Sequence, residues 1–257
     1  MEGKARLSKV MAQRDMCSRR EADLLIEKGF VLVNGQTAQL GDKVFFEDVI
    51  EVLPEGLRLL SQKQTVILNK PVGYTSHLSD RGYKTAQSLI IKQNQWRGDS
   101  QKWKPLKRTE LAPAGRLDID SKGLLILTQN GVLARRIIDS RYGIEKEYLV
   151  WFKGELNSEK IKKMELGQLK LNGQFLKPVK VFVCEKQMVR LILVEGKKRQ
   201  IRRMFKLLGL RVVSLKRIRV GPIVLGSLKE GQWRYLTPKE EAQLIKAMPR
   251  KGIKENI

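Results

Sequence analysis

Residues 115–131 read Gly-Arg-Leu-Asp-Ile-Asp-Ser-Lys-Gly-Leu-Leu-Ile-Leu-Thr-Gln-Asn-Gly. The apolar run Leu124 to Leu127 is short and uninterrupted, and it closes on Asn130-Gly131. Such a run between turn residues predicts a strand buried on both faces. The glycine-opened turn before it then holds Asp118 at the edge of a rigid sheet. A carboxylate in that place serves as a nucleophile or general base, or else simply caps a turn, because Asp hydrogen-bonds nearby backbone readily. The residues alone leave both readings open.

The rest of the chain narrows the choice. With 51 Lys and Arg against 27 Asp and Glu, the formal net charge is +24. That excess is more than solubility needs and points to a polyanionic partner, nucleic acid first. A membrane surface is the second candidate, but no basic amphipathic membrane helix and no lipidation motif is present. No apolar run approaches the roughly 18 residues of a membrane span, and no signal-peptide core follows the charged N-terminus. Cys17 and Cys184 lie far apart without ligand spacing, which argues against a disulfide framework or a zinc site and for a reducing cytoplasm. His77 is the single histidine, so a Ser/His/Asp triad and a histidine metal site are excluded. Phosphate-loop and dinucleotide glycine motifs are absent. At 257 residues with 42% hydrophobic content, the chain suits one large domain, or a small and a medium one.

Taken in order, residues 4–28 carry two short amphipathic patterns. Leu7, Val10 and Met11 share one helix face. Ser18 with Glu21 forms a capping box ahead of Ala22, Leu25 and Ile26. Gly29 stops this helix, and Phe30 to Val33 reads as a strand into an Asn34-Gly35 turn. A second strand follows over roughly Val44 to Leu53, and residues 54–64 read as a linker. Val66 to Leu68 is a further buried strand, running into a turn fixed by Pro71 and Gly73. Residues 91–110 interleave Trp96 and Trp103 with cations; they are either a base-stacking surface or an insertion with its tryptophans half buried. Later elements are a helix over 133–138, a strand after Lys146, a helix over 158–166, strands over 179–183 and 188–194, and a disordered tail after Pro249. A basic helix starts near Lys197. Five cations (Lys197, Lys198, Arg199, Arg202 and Arg203) fall within seven residues there. Like charges at a helix N-terminus repel one another and the dipole, so an anion is expected beside them: phosphate or the Asp118 carboxylate.

The 115–131 segment resembles motif II of the pseudouridine synthases, in the small-subunit and large-subunit branch that modifies bacterial ribosomal RNA. Gly115, Arg116, Leu117, Asp118, Gly123, Leu124, Leu125, Leu127, Thr128 and Gly131 fit the pattern. Ser121 replaces the usual Thr, and Gln129-Asn130 replaces Asn-Asp. Asn69 to Tyr74 looks like motif I, packed beneath the catalytic loop. Lys146-x-Tyr148 matches the family's Lys-x-Tyr, and Glu195 to Phe205 looks like motif III. Gly231-x-Trp233-Arg234-x-Leu236 matches the usual ending. The first 50 residues resemble the ribosomal S-four-type RNA-binding module, through Arg6-Leu7-x-Lys9, Ser18 to Ala22 and Gly29-x-Val31-x-Val33-Asn34-Gly35.

The resemblance implies an α+β protein: a small α/β RNA-binding module (residues 1–60) followed by a catalytic domain (61–250) with a mainly antiparallel mixed sheet, then a basic tail (251–257). It implies conversion of uridine to pseudouridine in ribosomal RNA, more in the manner of the large-subunit members, by a monomer with no cofactor, no metal and no membrane. Asp118 would initiate glycosidic cleavage, Tyr148 would stack on the base, and Arg202 would pair with Asp118, with Arg203 or Lys197 as substitutes. Arg116, Leu117, Lys70, Lys197, Arg199 and Arg203 would contact substrate. Arg6, Lys9, Arg14, Arg19, Arg20 and Lys28 would bind RNA. His77 is assigned no chemistry. The rival readings are a non-catalytic assembly factor, a transfer-RNA synthase and a basic DNA-binding protein.

Overall fold

The computed structural model describes residues 3–61, 63–76, 82–104 and 111–247. His77, part of the 91–110 insertion and the tail beyond Pro249 lie outside them.

The N-terminal module follows the expected order. Strand β1 (Ala5–Arg6) leads into α1 (Leu7–Gln13) and α2 (Arg19–Glu27), followed by β2 (Val31–Val33), β3 (Gln36–Thr37), β4 (Lys43–Val44) and β5 (Ile50–Val52). Leu7, Val10, Met11, Ala22, Leu25 and Ile26 close a small core of their own with Val31 and Val44. Asn34 and Gly35 both take positive φ, 49° and 80°, the geometry of the tight hairpin turn between β2 and β3. The strand expected over 44–53 is split. Asp48 accepts the Phe45 amide at 2.8 Å and the Asn34 side-chain amide at 3.1 Å, and this turn separates β4, paired with β1, from β5, paired with β2.

Ser18 and Glu21 form the predicted capping box of α2. Glu21 also accepts from Lys63 at 2.6 Å and from the Gly131 amide at 3.2 Å. Burial alone would raise the Glu21 carboxyl, but hydrogen bonds from Lys63, Ser18 and Gly131 outweigh it and hold it below the ordinary glutamate value. Because the folded-state value is the lower one, the stabilisation is complete above about pH 4.3, where unfolded glutamate is ionised, and fades as pH falls through the folded-state value. Glu21→Gln is therefore expected to cost about 2 kcal/mol near neutrality. In urea titrations, the gap to wild type should close between about pH 5 and about pH 3.

The stretch expected as a linker carries a helix, α3 (Pro54–Ser61). Proline suits the first helical position, where no amide hydrogen bond is lost. Gly56 lets the helix lie close to the module: a Cβ there would sit 2.8 Å from Val52 and 3.1 Å from Leu25 and Phe30.

The remaining elements are β6 (Thr65–Lys70), β7 (Ala112–Pro113), β8 (Lys122–Thr128), α4 (Gly131–Ile138), β9 (Lys146–Lys153), α5 (Ser158–Glu165), β10 (Lys170–Leu171), β11 (Gln174–Phe175), β12 (Lys180–Glu185), β13 (Met188–Leu193), α6 (Gln200–Leu207), β14 (Arg211–Val220), β15 (Ile223–Val224), β16 (Trp233–Tyr235) and α7 (Pro238–Lys246). One large sheet runs β12-β13-β9-β14-β8-β6-β16, with β15 on β14 and β7 on β8. Among the described residues its pairings are antiparallel except β14 with β8, which is the mainly antiparallel mixed sheet expected.

Strand β8 is buried on both faces, as its sequence predicts. Leu125 and Leu127 join Val150, Phe152 and Phe205 on one side. Leu124 and Ile126 join Leu133, Ile137 and Ile144 on the other. The tryptophans of the insertion are structural. Trp103 meets the buried ring of Trp233 edge-on at 5.8 Å, and the Trp96 amide donates to Trp233 O at 2.8 Å. This segment covers β16, the outer strand, whose backbone would otherwise be open to pairing. Among the described residues no helix is long and apolar enough to cross a membrane.

Candidate active site

The loop before β8 is built to be rigid. Gly115 opens it at φ 87°, a conformation L side chains rarely adopt. Buried Ser76 clamps the loop from below: the Leu117 amide donates to Ser76 Oγ at 2.9 Å, and that hydroxyl donates to Leu117 O at 2.7 Å. The Gly73 amide donates to Ile119 O at 2.9 Å. The turn after β6 thus underlies the loop, as motif I should.

Lys70 belongs to this support and not to an RNA surface. The side chain is fully buried, and Nζ donates to Pro71 O and Tyr74 O, both at 2.8 Å. Burial pulls its ammonium down to about 8, although Asp120 and Asp118 act in the opposite direction. The expectation that Lys70 contacts substrate is corrected accordingly: the turn that follows it needs its carbonyls satisfied, and the lysine does that from inside.

Two arginines of the basic segment, Arg199 and Arg202, meet two carboxylates. Arg199 sits at the N-cap of α6 in a left-handed conformation, φ 51° and ψ 35°, which carries its guanidinium back over the loop. It makes a two-point contact with Asp120 at 3.2 and 3.1 Å and stands 3.6 Å from Asp118 Oδ2. Arg202 pairs with Asp120 Oδ2 at 3.3 Å and donates to Asp120 O at 2.9 Å. The expected Arg202 to Asp118 pair is therefore replaced by Arg199 to Asp118. With the helix beginning at Gln200, the cation just before its first turn overhangs the loop, and the one a turn later reaches only the loop's end. Desolvation would raise the Asp120 carboxyl, but the Arg199 and Arg202 guanidiniums hold it below the ordinary range.

Asp118, Arg199 and Arg202 line a cleft of about 960 Å³, together with Arg116, Lys146, Tyr148, Leu193, Leu215 and Arg217. Tyr148 stands on β9 directly opposite Leu191 on β13 and Arg217 on β14. Its walls are apolar enough to hold a planar base, and Asp118 stands in the same cleft. Lys197 lines the rim. Arg203 is absent from the lining, because it turns away to donate to Asn172 Oδ1 at 2.6 Å.

The sequence profile of the RNA pseudouridylate synthase family matches residues 64–207, and that of the S4 domain matches residues 5–50. The chain belongs to the RNA pseudouridylate synthase family. An uncharacterized RNA pseudouridine synthase of Aquifex aeolicus is 37% identical, with 96% of both chains covered. The ribosomal large subunit pseudouridine synthase B of Bacillus subtilis is 34% identical over 93% of this chain and 95% of its own. The dual-specificity RNA pseudouridine synthase RluF of Salmonella typhi is 35% identical over 94% of this chain and 78% of its own. A crystal structure of a pseudouridylate synthase superposes with a TM-score of 0.65 at 30% identity, covering 93% of this chain and 99% of that one.

Two residues of this synthase's cleft are assigned no role by the sequence, although Lys146 stands in the Lys-x-Tyr pattern. Arg217 is a fully buried cation whose Nε donates to Leu124 O at 2.7 Å and whose Nη1 approaches Arg116 O at 3.5 Å. Lys146, also buried, donates to Ile144 O at 3.2 Å, and burial together with Arg217 pulls it down to about 8. Their signal is period-two alternation: Lys146 shares a strand face with Tyr148, and Arg217 shares one with Leu215. On the S4 module, Arg6, Lys9, Arg19, Arg20 and Lys28 are exposed. Arg14 is half-buried and braces the 45–48 turn, its Nη2 donating to Asp48 O at 2.8 Å and to Phe46 O.

Proposed function

We propose that this synthase converts uridine to pseudouridine in ribosomal RNA of the large subunit, with Asp118 initiating cleavage of the glycosidic bond. The observation that carries the reading is the placement of Asp118 on a clamped loop, within one cleft with Tyr148 and 3.6 Å from Arg199. Cleavage follows from attack on the ribose or from removal of its 2′ proton, and the freed base rotates and rejoins through carbon 5. Uridine and pseudouridine contain the same atoms, so the isomerisation itself calls for no oxidant, reductant or metal. The target leaves its stack to reach the cleft. Arg116, exposed at the mouth, takes the space it vacates, and Lys197 and Arg199 face the incoming strand. Tyr148 stacks on the uracil, while Leu117, Leu193 and Leu215 keep water from the separated base and ribose.

Residues 1–60 grip RNA and residues 61–250 carry the chemistry. The protein acts as a monomer in the cytoplasm. The resemblance to the ribosomal large subunit pseudouridine synthase B of Bacillus subtilis supports the large-subunit target. The basic S4 module suits structured RNA, which is recognised by shape and phosphate.

Purified protein incubated separately with deproteinised large-subunit, small-subunit and transfer RNA tests the substrate. Pseudouridine should appear in the first; its confinement to transfer RNA would overturn the target. Tyr148→Phe keeps the ring and removes the hydroxyl. It is expected to bind RNA as wild type does and to slow conversion about 100-fold in single-turnover assays, the usual scale for a lost proton-transfer group, because the hydroxyl is assigned a proton transfer that follows reattachment of the base.

A further inference from the structure

We propose that the S4 module is docked on the catalytic domain as a ruler, fixing the distance between the grip on RNA and Asp118 and so selecting which uridine is modified. This deepens the ribosomal RNA reading and rests on it.

The junction joins the ends of α1 and α2 to α4. Asp15 reaches two successive arginines of α4: Oδ2 accepts from Arg136 at 2.9 Å, and Oδ1 accepts from Arg135. Arg135 also donates to Ala12 O, the closing turn of α1. Asp15 holds a left-handed backbone, φ 59°, which is strained for a residue with a side chain and persists where surroundings enforce it. At the other end of α4, the Gly131 amide donates to Glu21 of the α2 capping box. Gly131 touches the module closely: a Cβ there would lie 2.4 Å from Ser18 Cβ. Glu21 additionally binds Lys63, at the exit of α3. Two carboxylates of the module thus take both ends of one catalytic-domain helix.

That helix follows β8, and Asp118 precedes it. Strand β8 has seven residues, which at about 3.3 Å each separates its ends by roughly 20 Å. It is buried on both faces in the middle of the sheet, so the span does not bend. Exposed Arg19 and Arg20 open the helix whose N-cap, Ser18, sits in the junction. A module on a free tether raises local concentration but gives no register. A docked one presents to Asp118 only the nucleotide lying one fixed offset from the gripped phosphates. Small misplacements are costly in such an arrangement.

The test compares pseudouridine maps on deproteinised ribosomal RNA from cells lacking the protein. Asp15→Asn tolerates the left-handed backbone and removes the charge, so the module stays folded. It should lower conversion at the native uridine about tenfold and add modification at neighbouring uridines. The charge swap of Asp15→Arg with Arg135→Asp and Arg136→Asp should bring the wild-type pattern back. A wild-type map and rate for Asp15→Asn would overturn the ruler. So would a uniform loss matched by weaker RNA binding, since that is an affinity effect without register. Asp118→Asn, run in parallel, reports on the chemistry independently. If wild type modifies only transfer RNA, the same comparison is read on total transfer RNA.

Discussion

Asp118→Asn is expected to leave RNA bound and unmodified. The rate should fall by about 10⁴-fold or more, because the amide neither attacks ribose nor takes a proton at neutral pH. The fold should survive. The Asp118 carboxylate has one ionic neighbour among the described residues, Arg199, and that guanidinium keeps its two-point contact with Asp120 at 3.2 and 3.1 Å. The loop is held by Ser76 and Gly73 through backbone groups the substitution does not touch. RNA affinity should match wild type within about twofold, because phosphate contacts supply most of it and losing an anion adds no repulsion. Single-turnover conversion and filter binding measure the two quantities. Equal activity would remove Asp118 from the mechanism; a parallel loss of binding would recast it as a structural residue.

Gly123→Ala is expected to destabilise the protein by at least about 4 kcal/mol, enough to prevent folding in a marginal domain. Gly123 takes φ 107°, and a Cβ there would lie 2.2 Å from Arg217 O and 2.7 Å from Arg217 N. Both are backbone atoms of β14, so no rotamer change relieves the clash. The contact is the parallel seam of β8 with β14, which pairs only Lys216 with Lys122 and Arg217 with Gly123. That seam joins the β12-β13-β9-β14 half of the sheet to the β8-β6-β16 half. Gly226→Ala is the control. Its φ is also positive, 58°, but nothing lies within 4 Å, so the cost is limited to about 1 kcal/mol of backbone strain. Urea midpoints compare them, and equal midpoints would contradict the account.

How far the sequence discloses this depends on what each feature encodes. A two-sided apolar strand between turn residues is a local pattern, and β8 appears where the pattern puts it. The hairpin turn at Asn34-Gly35 is equally local. The partner of Asp118 is not. Arg199 and Arg202 lie a turn apart in a run of cations, and the choice between them depends on where α6 begins and on the left-handed conformation of Arg199. The second carboxylate, Asp120, takes most of the positive charge. It is as visible in the sequence as Asp118, but only the loop's shape shows that it faces both arginines. Lys70, Lys146 and Arg217 run against expectation because charge ordinarily marks surface; each is buried where backbone carbonyls or loop atoms need a donor. The 54–64 stretch reads as a linker because it opens on Pro54-Glu55-Gly56 and closes on polar and basic residues, whereas packing of Gly56 on Leu25 and Val52 makes it a helix.

The most direct test of the central claim is a pseudouridine map of total ribosomal RNA. Carbodiimide labelling and primer extension would be applied to cells lacking the protein, complemented with wild type or with Asp118→Asn. One or a few large-subunit stops should be missing without the protein, restored by wild type and not restored by the variant. Identical maps in all three would contradict the account.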